Sequence, residues 1–228
     1  MSFQKATREQ RVPKILISSV SGGGKTLSSI KLMKGLIGDK PFGLVDTESR
    51  SSAIYANEYE FFMHDLVDTE QNINGYIKVM DEAKSSLKGL IVDGITPAWK
   101  DILDKSNRME GSSYQNWGKL TPLQDKFMKY IVSYSLPLIC TVRSKQGYAM
   151  EVNEKGKTVV KKVGLEIEQR NTSDYEFDIH FSIDQSTHKA RIEKCRYKEI
   201  EEYWNIQGGE VLLTEEVGTI IKKAIKGE

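Results

Sequence analysis

Residues 15–26 read Ile-Leu-Ile-Ser-Ser-Val-Ser-Gly-Gly-Gly-Lys-Thr, an apolar run followed by a glycine-rich turn. Glycines permit the backbone angles that point successive N–H groups at phosphate oxygens, and a helix that begins there adds its positive end. Apolar residues at helical spacing from Leu27 to Ile37 indicate such a helix. This order of strand, glycine turn and helix predicts a phosphate-binding P-loop.

The motif also predicts ATP and Mg²⁺ as cofactors. Lys25 is expected to reach the β- and γ-phosphates, and the Thr26 hydroxyl to be a ligand of Mg²⁺, which prefers oxygen ligands. Ser19 stands where the consensus begins with glycine, so a residue with a Cβ must make the first turn. The residues expected to contact the nucleotide are Ser21, Gly22, Gly23, Gly24, Lys25, Thr26 and Leu27.

The rest of the chain alternates between short apolar runs and helix-like stretches. Strands are predicted at 14–18, 42–46, 89–93 and 136–142, with helices at 27–38, 72–87 and 120–134. This alternation predicts an α/β fold, a mostly parallel twisted sheet flanked by helices. In such a sheet the P-loop and the residues that follow the other strands meet at the carboxyl edge.

The C-terminal third has a different pattern. Residues 146–158 are polar and spotted with glycine, which predicts a mobile loop. Antiparallel strands are predicted at 177–183 and 189–196, and an amphipathic helix at 214–226. The whole chain is expected to be one domain. Its predicted parts are a polar tail at 1–11, a core at about 12–200, and a C-terminal strand and helix at 203–228.

Composition restricts the possible partners. Lys and Arg total 33 against 32 for Asp and Glu, so the net charge of +1 gives no general attraction to nucleic acid or membrane. No apolar run approaches the length that spans a membrane, and we expect a cytoplasmic protein without a membrane partner. The two cysteines, Cys140 and Cys195, and the three histidines, His64, His180 and His188, show no metal-ligand spacing.

Carboxylates end two of the predicted strands. Asp93 follows an apolar strand, as does the carboxylate that holds Mg²⁺ in P-loop enzymes, although Asp-Gly is also common in turns. Asp46 and Glu48 end the stretch 42–48 on alternate residues, which point to the same side while extended, and a carboxylate there could orient and deprotonate water. Glu48 is the candidate for that role and Asp46 for a structural one, with the reverse assignment open.

The order of these motifs resembles the RecA-like recombinase-core ATPases, most closely the small phage-encoded members that work in single-strand annealing and recombination. After the P-loop, segments 45–48, 90–96 and 140–145 look like the successive core strands of that family. The resemblance implies that Glu48 is the catalytic glutamate and Asp93 the Mg²⁺-associated carboxylate. Thr141 stands where the family often has a γ-phosphate sensor, commonly glutamine.

The resemblance also implies an ATPase that binds single-stranded DNA and is stimulated by it, in the host-cell cytoplasm if the protein is phage-encoded. The DNA-facing loop of the family follows the strand of Thr141, where this chain has a local excess of basic residues that suits phosphate contacts. A solvated charged loop is the alternative, because glutamates are interleaved. The basic residues are Arg143, Lys145, Lys155, Lys157, Lys161 and Lys162.

Lys194 and Arg196 resemble the cations that a late strand of the family sends into the nucleotide site of a neighbouring subunit. That resemblance implies a homo-oligomer with nucleotide at its subunit interfaces and catalytic roles for both residues. Exposed strand charges are also commonplace, which is the alternative. A single-strand annealing or recombination protein is the expected partner.

Two other functions remain open at this point. A small-molecule kinase would use the same P-loop, but it calls for an arginine-rich lid, and residues 146–158 contain no arginine. A nucleotide-gated interaction module with little turnover is favoured by Ser19 and Thr141, the two departures from the family pattern.

Overall fold

The computed structural model describes residues 5–8, 11–152, 158–170 and 173–228, and it describes residues 146–152 and 158–164 by their backbone alone. The described chain has nine strands and six α-helices. The strands are β1 (Lys14–Ser19), β2 (Phe42–Asp46), β3 (Phe62–Asp65), β4 (Gly89–Asp93), β5 (Leu138–Val152), β6 (Thr158–Ile167), β7 (Ile179–Ile183), β8 (Lys189–Cys195) and β9 (Val211–Leu212). The helices are α1 (Lys25–Ile37), α2 (Ile73–Ala83), α3 (Thr96–Arg108), α4 (Ser113–Ser133), α5 (Lys198–Ile206) and α6 (Glu215–Lys226).

The strands follow the order β3-β2-β4-β5-β1-β7-β8-β9, and β6 pairs with β5 alone. The six strands from β3 to β7 in this order are parallel, whereas β8 and β9 are antiparallel to their neighbours. The predicted α/β fold with a mostly parallel sheet is therefore confirmed. Because β5 lies between β1 and β4, the carboxyl ends of the P-loop strand and of the strand that ends in Asp93 flank Thr141.

Alternate residues of the central strands supply two apolar layers, one on each face of the sheet. On β1, Ile15 and Ile17 face the layer that includes α1, α5 and α6, while Leu16 faces the layer with α2, α3 and α4. Helices α1 and α6 pack closely because Gly35 lies at their contact, where an added Cβ would be 1.9 Å from the Glu215 carbonyl oxygen. An apolar layer thus covers each face of the central strands.

The predicted mobile loop at 146–158 is wrong for most of its length. Residues up to Val152 continue β5, and β6 begins at Thr158, so the two strands form a long antiparallel hairpin. Gln146, Gly147 and Glu151 are typical of a loop, and they mask the alternation of Tyr148, Met150 and Val152 that is typical of a strand. Residues 153–157 lie outside the described chain.

Other helix and strand boundaries also differ from the predicted ones. Helix α4 begins at Ser113 rather than near residue 120, because the Ser112 side chain accepts a hydrogen bond from the Gln115 N–H and caps it. The predicted helix at 72–87 ends at Ala83. Helices α3 and α5 and strand β3 were not predicted. In the described ranges, no helix has the length and apolar character required to cross a bilayer.

Candidate active site

The P-loop occupies the turn between β1 and α1. Gly22 and Gly24 have φ angles of 78° and 86°, in the left-handed region that favours glycine. Helix α1 begins directly after Gly24, and no side chain caps its first turn. The N–H groups at this helix end therefore remain available for phosphate oxygens, with the positive end of the helix behind them.

Ser19 is accommodated by its fit against Gly23. Its side chain is wholly buried, and its hydroxyl donates to the carbonyl oxygen of Ile183 at 2.7 Å. A Cβ placed on Gly23 would lie 1.9 Å from the Ser19 Oγ, so a larger residue at Gly23 would collide with this serine. Ser19 ends β1 with a negative φ, and its Cβ causes no backbone strain. The serine thus ties the P-loop to β7.

The Lys25 ammonium folds back onto the start of the P-loop. It donates to the carbonyl oxygens of Ser19 and Val20 at 3.2 and 3.0 Å. Burial lowers the pKa of Lys25, and the nearby carboxylates of Asp93 and Glu48 oppose that shift. Lys25 is thus held by two neutral acceptors that the charged oxygens of a phosphate could replace.

Asp93 joins the P-loop to β5. The Thr26 hydroxyl donates to its Oδ2 and the Thr141 hydroxyl to its Oδ1, both at 2.7 Å. Burial raises the pKa of Asp93, and the two hydroxyl hydrogen bonds oppose the rise. Three oxygen-bearing side chains thus converge from α1, β4 and β5, a donor set that fits a hard cation such as Mg²⁺. Thr141, the predicted sensor, is one of the three.

Asp46 and Glu48 have different surroundings, which separates their roles. Asp46 is wholly buried, and its carboxylate accepts hydrogen bonds from the Ser52 N–H and hydroxyl and from the Glu48 N–H. It organises the chain after β2 and has no access to solvent. The Glu48 side chain is half-exposed beside the P-loop edge. Of the two carboxylates, only that of Glu48 is accessible to water.

Glu48 forms an ion pair with Arg143. The Arg143 Nη2 donates to the Glu48 Oε1 at 2.6 Å, and this hydrogen bond raises the pKa of the guanidinium. The Arg143 N–H donates to the Thr96 hydroxyl at 3.1 Å, and its Cα pairs with that of Ser19 in the sheet. Arg143 therefore lies where β5 leaves the main sheet, next to both the P-loop and the β5–β6 hairpin.

The remaining predicted DNA-binding residues lie on that hairpin or outside the described chain. Lys145 is exposed on β5, opposite Glu166 of β6. Lys161 and Lys162 are residues of β6 that pair with Ala149 and Tyr148, and only their backbone is described. Lys155 and Lys157 fall in the segment outside the described residues. The predicted basic region thus borders the carboxyl edge of the sheet through Arg143 and Lys145.

Lys194 and Arg196 lie together but away from the P-loop of their own chain. Both donate to the carbonyl oxygen of Tyr175, with Arg196 at 3.4 Å. Lys194 pairs with His180, which in turn pairs with Leu16 near the middle of β1. Arg196 directly follows the last residue of β8, still farther from the carboxyl edge of the sheet. These cations therefore do not complete the site within one chain.

A turn that the sequence analysis missed packs against the P-loop. The Gln185 side chain donates to the Ser21 carbonyl at 2.9 Å, and the His188 Nδ1 lies 3.3 Å from the Gly23 carbonyl oxygen. Hydrogen bonds from Ser186 and Thr187 to Asp184 close the turn and lower the pKa of that carboxyl to about 2. The Asp-Gln-Ser-Thr sequence is typical of a turn, but the P-loop is too distant in sequence for that pattern to indicate this contact.

Comparison with known families agrees with this arrangement. A family model described as an AAA domain matches residues 11–216, from the segment before β1 to the start of α6. Comparison with curated protein sequences finds no match. The matched region contains the P-loop, Glu48, Asp93, Thr141 and Arg143. The chain belongs to the AAA-domain family and is a nucleotide-binding P-loop ATPase.

Proposed function

We propose that this protein is a Mg²⁺-dependent ATPase of the recombinase-core type, whose hydrolysis is stimulated by single-stranded DNA and supports phage DNA recombination or annealing. The Glu48–Arg143 ion pair carries the proposal. It links the half-exposed carboxylate of Glu48, the proposed catalytic base, to the first basic residue of the strand that extends into the hairpin.

Nucleotide binding follows from the P-loop geometry. The phosphates of ATP accept hydrogen bonds from the N–H groups that follow Gly22, and Lys25 exchanges the Ser19 and Val20 carbonyls for β- and γ-phosphate oxygens. Thr26 and Asp93 would hold Mg²⁺. When bound, that ion neutralises charge on the β- and γ-phosphate oxygens.

Glu48 orients the attacking water and accepts its proton. In the ion pair, its Oε1 already accepts a hydrogen bond from Arg143. A DNA phosphate competes with Glu48 for the guanidinium, since both ligands are oxyanions that suit its fork of donors. Single-stranded DNA on Arg143, Lys145 and the hairpin therefore releases Glu48 towards the water and raises the rate of hydrolysis.

A homo-oligomer completes this scheme. Lys194, partly exposed on β8, and Arg196, exposed just after it, lie away from their own P-loop and both donate to one carbonyl oxygen. Arg196 is also 3.6 Å from a carboxylate oxygen of Asp178. A neighbouring subunit's nucleotide can meet them there, and cations supplied in this way stabilise charge on the γ-phosphate. Hydrolysis then depends on assembly as well as on DNA. An annealing or recombination protein is the partner that such an ATPase would serve.

The test is steady-state ATP hydrolysis with single-stranded DNA, with double-stranded DNA and without polymer. Lys25→Ala sets the background. Arg143→Gln should raise the rate without DNA and abolish stimulation by single strands, because Glu48 is then always released. Arg8→Gln is the matched control, since the exposed Arg8–Glu199 pair has the same 2.6 Å length and lies elsewhere. Full stimulation of Arg143→Gln by single strands would contradict the proposal, and ATP binding without turnover would favour the gated module.

A small-molecule kinase is the second candidate, favoured by one cleft. A cavity of about 430 Å³ opens beside Arg143 and is lined by Thr47, Thr96, Lys100 and Asp101 among others. Its polar walls could hold a small acceptor next to the γ-phosphate. Turnover that ignores DNA, together with formation of a phosphorylated product from a pool of small polar metabolites, would replace the first proposal with this one.

A further inference from the structure

We infer that the opposite, amino edge of the sheet carries a docking groove for an acidic, amphipathic peptide segment of a partner protein. The groove has a volume of about 430 Å³ and lies where β1, β2, β4 and β5 begin and where α1 and α6 end. We call it the amino-edge groove. The inference does not depend on the proposed reaction, because none of the lining residues belongs to the candidate active site.

Five cationic side chains and no carboxylate are among the residues that line the amino-edge groove. Arg11 is neutralised by the buried Asp178, and the Lys226 Nζ lies 3.7 Å from a carboxylate oxygen of Glu228. The other three have no ion-pair partner among the residues that the structure describes. The five cations are Arg11, Lys40, Lys88, Lys222 and Lys226.

Helix electrostatics do not account for this cluster. A cation in the last turn of α6 is favourable because of the helix dipole, which explains Lys226. Lys222 lies one turn earlier at i−4, where two like charges destabilise a helix. Lys40 and Lys88 belong to loops, and a hydrogen bond of 2.8 Å from the Lys88 N–H to the Pro41 carbonyl brings those loops together. The repulsion between these cations destabilises the folded chain, and an anionic partner would offset it.

The floor of the groove is aliphatic. Leu36, Ile37 and Ile225 form it, each 5–7% exposed, with Pro13 and Pro137 beside them. An inorganic anion would gain nothing from such a floor. Proteins that bind single-stranded nucleic acid usually stack bases on aromatic side chains, and no aromatic residue is among those lining the groove. A peptide that alternates carboxylates with apolar side chains complements both the rim and the floor.

The probe that tests this inference is a fluorescein-labelled peptide of alternating Asp and Leu residues, followed by fluorescence anisotropy. The full chain should bind it, and raising the salt concentration should weaken the complex. Lys88→Glu with Lys222→Glu should weaken binding at least tenfold. Lys78→Glu with Lys129→Glu is the matched control, because both lysines are exposed on α2 and α4 and the change of charge is the same. ATP hydrolysis should stay within twofold of the parent in both double variants.

Two altered peptides test the contributions of the cationic rim and of the aliphatic floor separately, without any change to the protein. Replacement of every Asp by Asn, or of every Leu by Ser, should each weaken binding at least tenfold. Absence of binding by the parent chain, or equal loss in both double variants, would overturn the inference. So would an oligothymidylate that loses affinity in Lys88→Glu with Lys222→Glu while the peptide does not bind, since the surface would then serve nucleic acid. Melting temperatures of the variants establish that each one is folded.

Discussion

The charged side chains at the two edges of the sheet differ in how many partners they have. At the carboxyl edge, Asp93 accepts from two threonine hydroxyls, Glu48 pairs with Arg143, and Lys25 donates to two carbonyls. At the amino edge, lysines surround an aliphatic floor with no carboxylate among the lining residues. A reaction needs each charge fixed in position and protonation state, whereas recognition of an oppositely charged partner needs charge that is left available. The proposed reaction and the proposed docking would therefore use opposite edges of one sheet.

The largest effect expected at the carboxyl edge comes from Lys25→Ala. Hydrolysis of ATP should fall about 10³-fold, because the variant loses the ammonium that meets the phosphates. The measurement is kcat/KM for ATP. Lys78→Ala, on the exposed surface of α2, should leave it unchanged. A loss of less than tenfold in Lys25→Ala would remove that residue from the phosphate site.

Glu48→Gln should reduce kcat about 10²-fold while nucleotide binding persists, because the amide cannot accept a proton from water. Fluorescent-nucleotide titration measures the binding and steady-state hydrolysis the rate. Asp46→Asn should act on the fold instead and lower the melting temperature, since it disturbs the buried hydrogen bonds to Ser52. Equal losses of turnover with unchanged melting in both variants would contradict the separate roles of the two carboxylates.

Lys14 provides a test of charge at the amino edge. Burial lowers the pKa of Lys14 to about 8 from an ordinary value of 10.5. Between these values the unfolded chain holds a proton that the folded chain has released, so the free energy of unfolding rises with pH across this window. Lys14→Met should remove a dependence of up to about 3 kcal/mol. Denaturant unfolding at several pH values measures it, and parallel profiles for parent and variant would refute it.

Gly23→Ala should destabilise the folded chain by about 1–3 kcal/mol, because its Cβ would meet the Ser19 Oγ. Ser19→Gly in the same chain should recover part of that loss, since it removes the atom that collides. Thermal melting of both single variants and the double variant forms a cycle that isolates this contact. Additive effects would mean that the collision is relieved in some other way.

The fold could be predicted largely from local patterns. The runs that became β1, β2 and β4 are short, apolar and bounded by turn residues, and the P-loop fixes what lies between β1 and α1. The β5–β6 hairpin was missed because its glycines and interleaved polar residues are typical of a loop, and the alternation of Tyr148, Met150 and Val152 is too short to outweigh them. The helix predicted at 120–134 is shorter than α4, because the start of α4 depends on a cap at Ser112 rather than on apolar periodicity.

The residues of the candidate site could be predicted from the sequence, but the contacts between them could not. The parallel topology brings Lys25, Glu48 and Asp93 to one edge once the strands are assigned. The separate roles of Asp46 and Glu48 follow from the hydrogen bond between Ser52 and Asp46, and no strand pattern predicts the position of Ser52. The contact of Gln185 with Ser21 joins residues 164 positions apart, and only the order of β1, β7 and β8 in the sheet produces it.

The pairing of β6 with β5 alone has a geometric consequence. Between Arg143 and Val152 the strand advances nine residues, about 30 Å at the usual rise per residue. Insertion of residues in pairs on both strands would lengthen this arm by about 7 Å at a time while every side chain keeps its face. Insertion of a single residue on each strand would exchange the two faces. The reach of the arm is thus adjustable in discrete increments, and none of them disturbs a hydrogen bond of the main sheet.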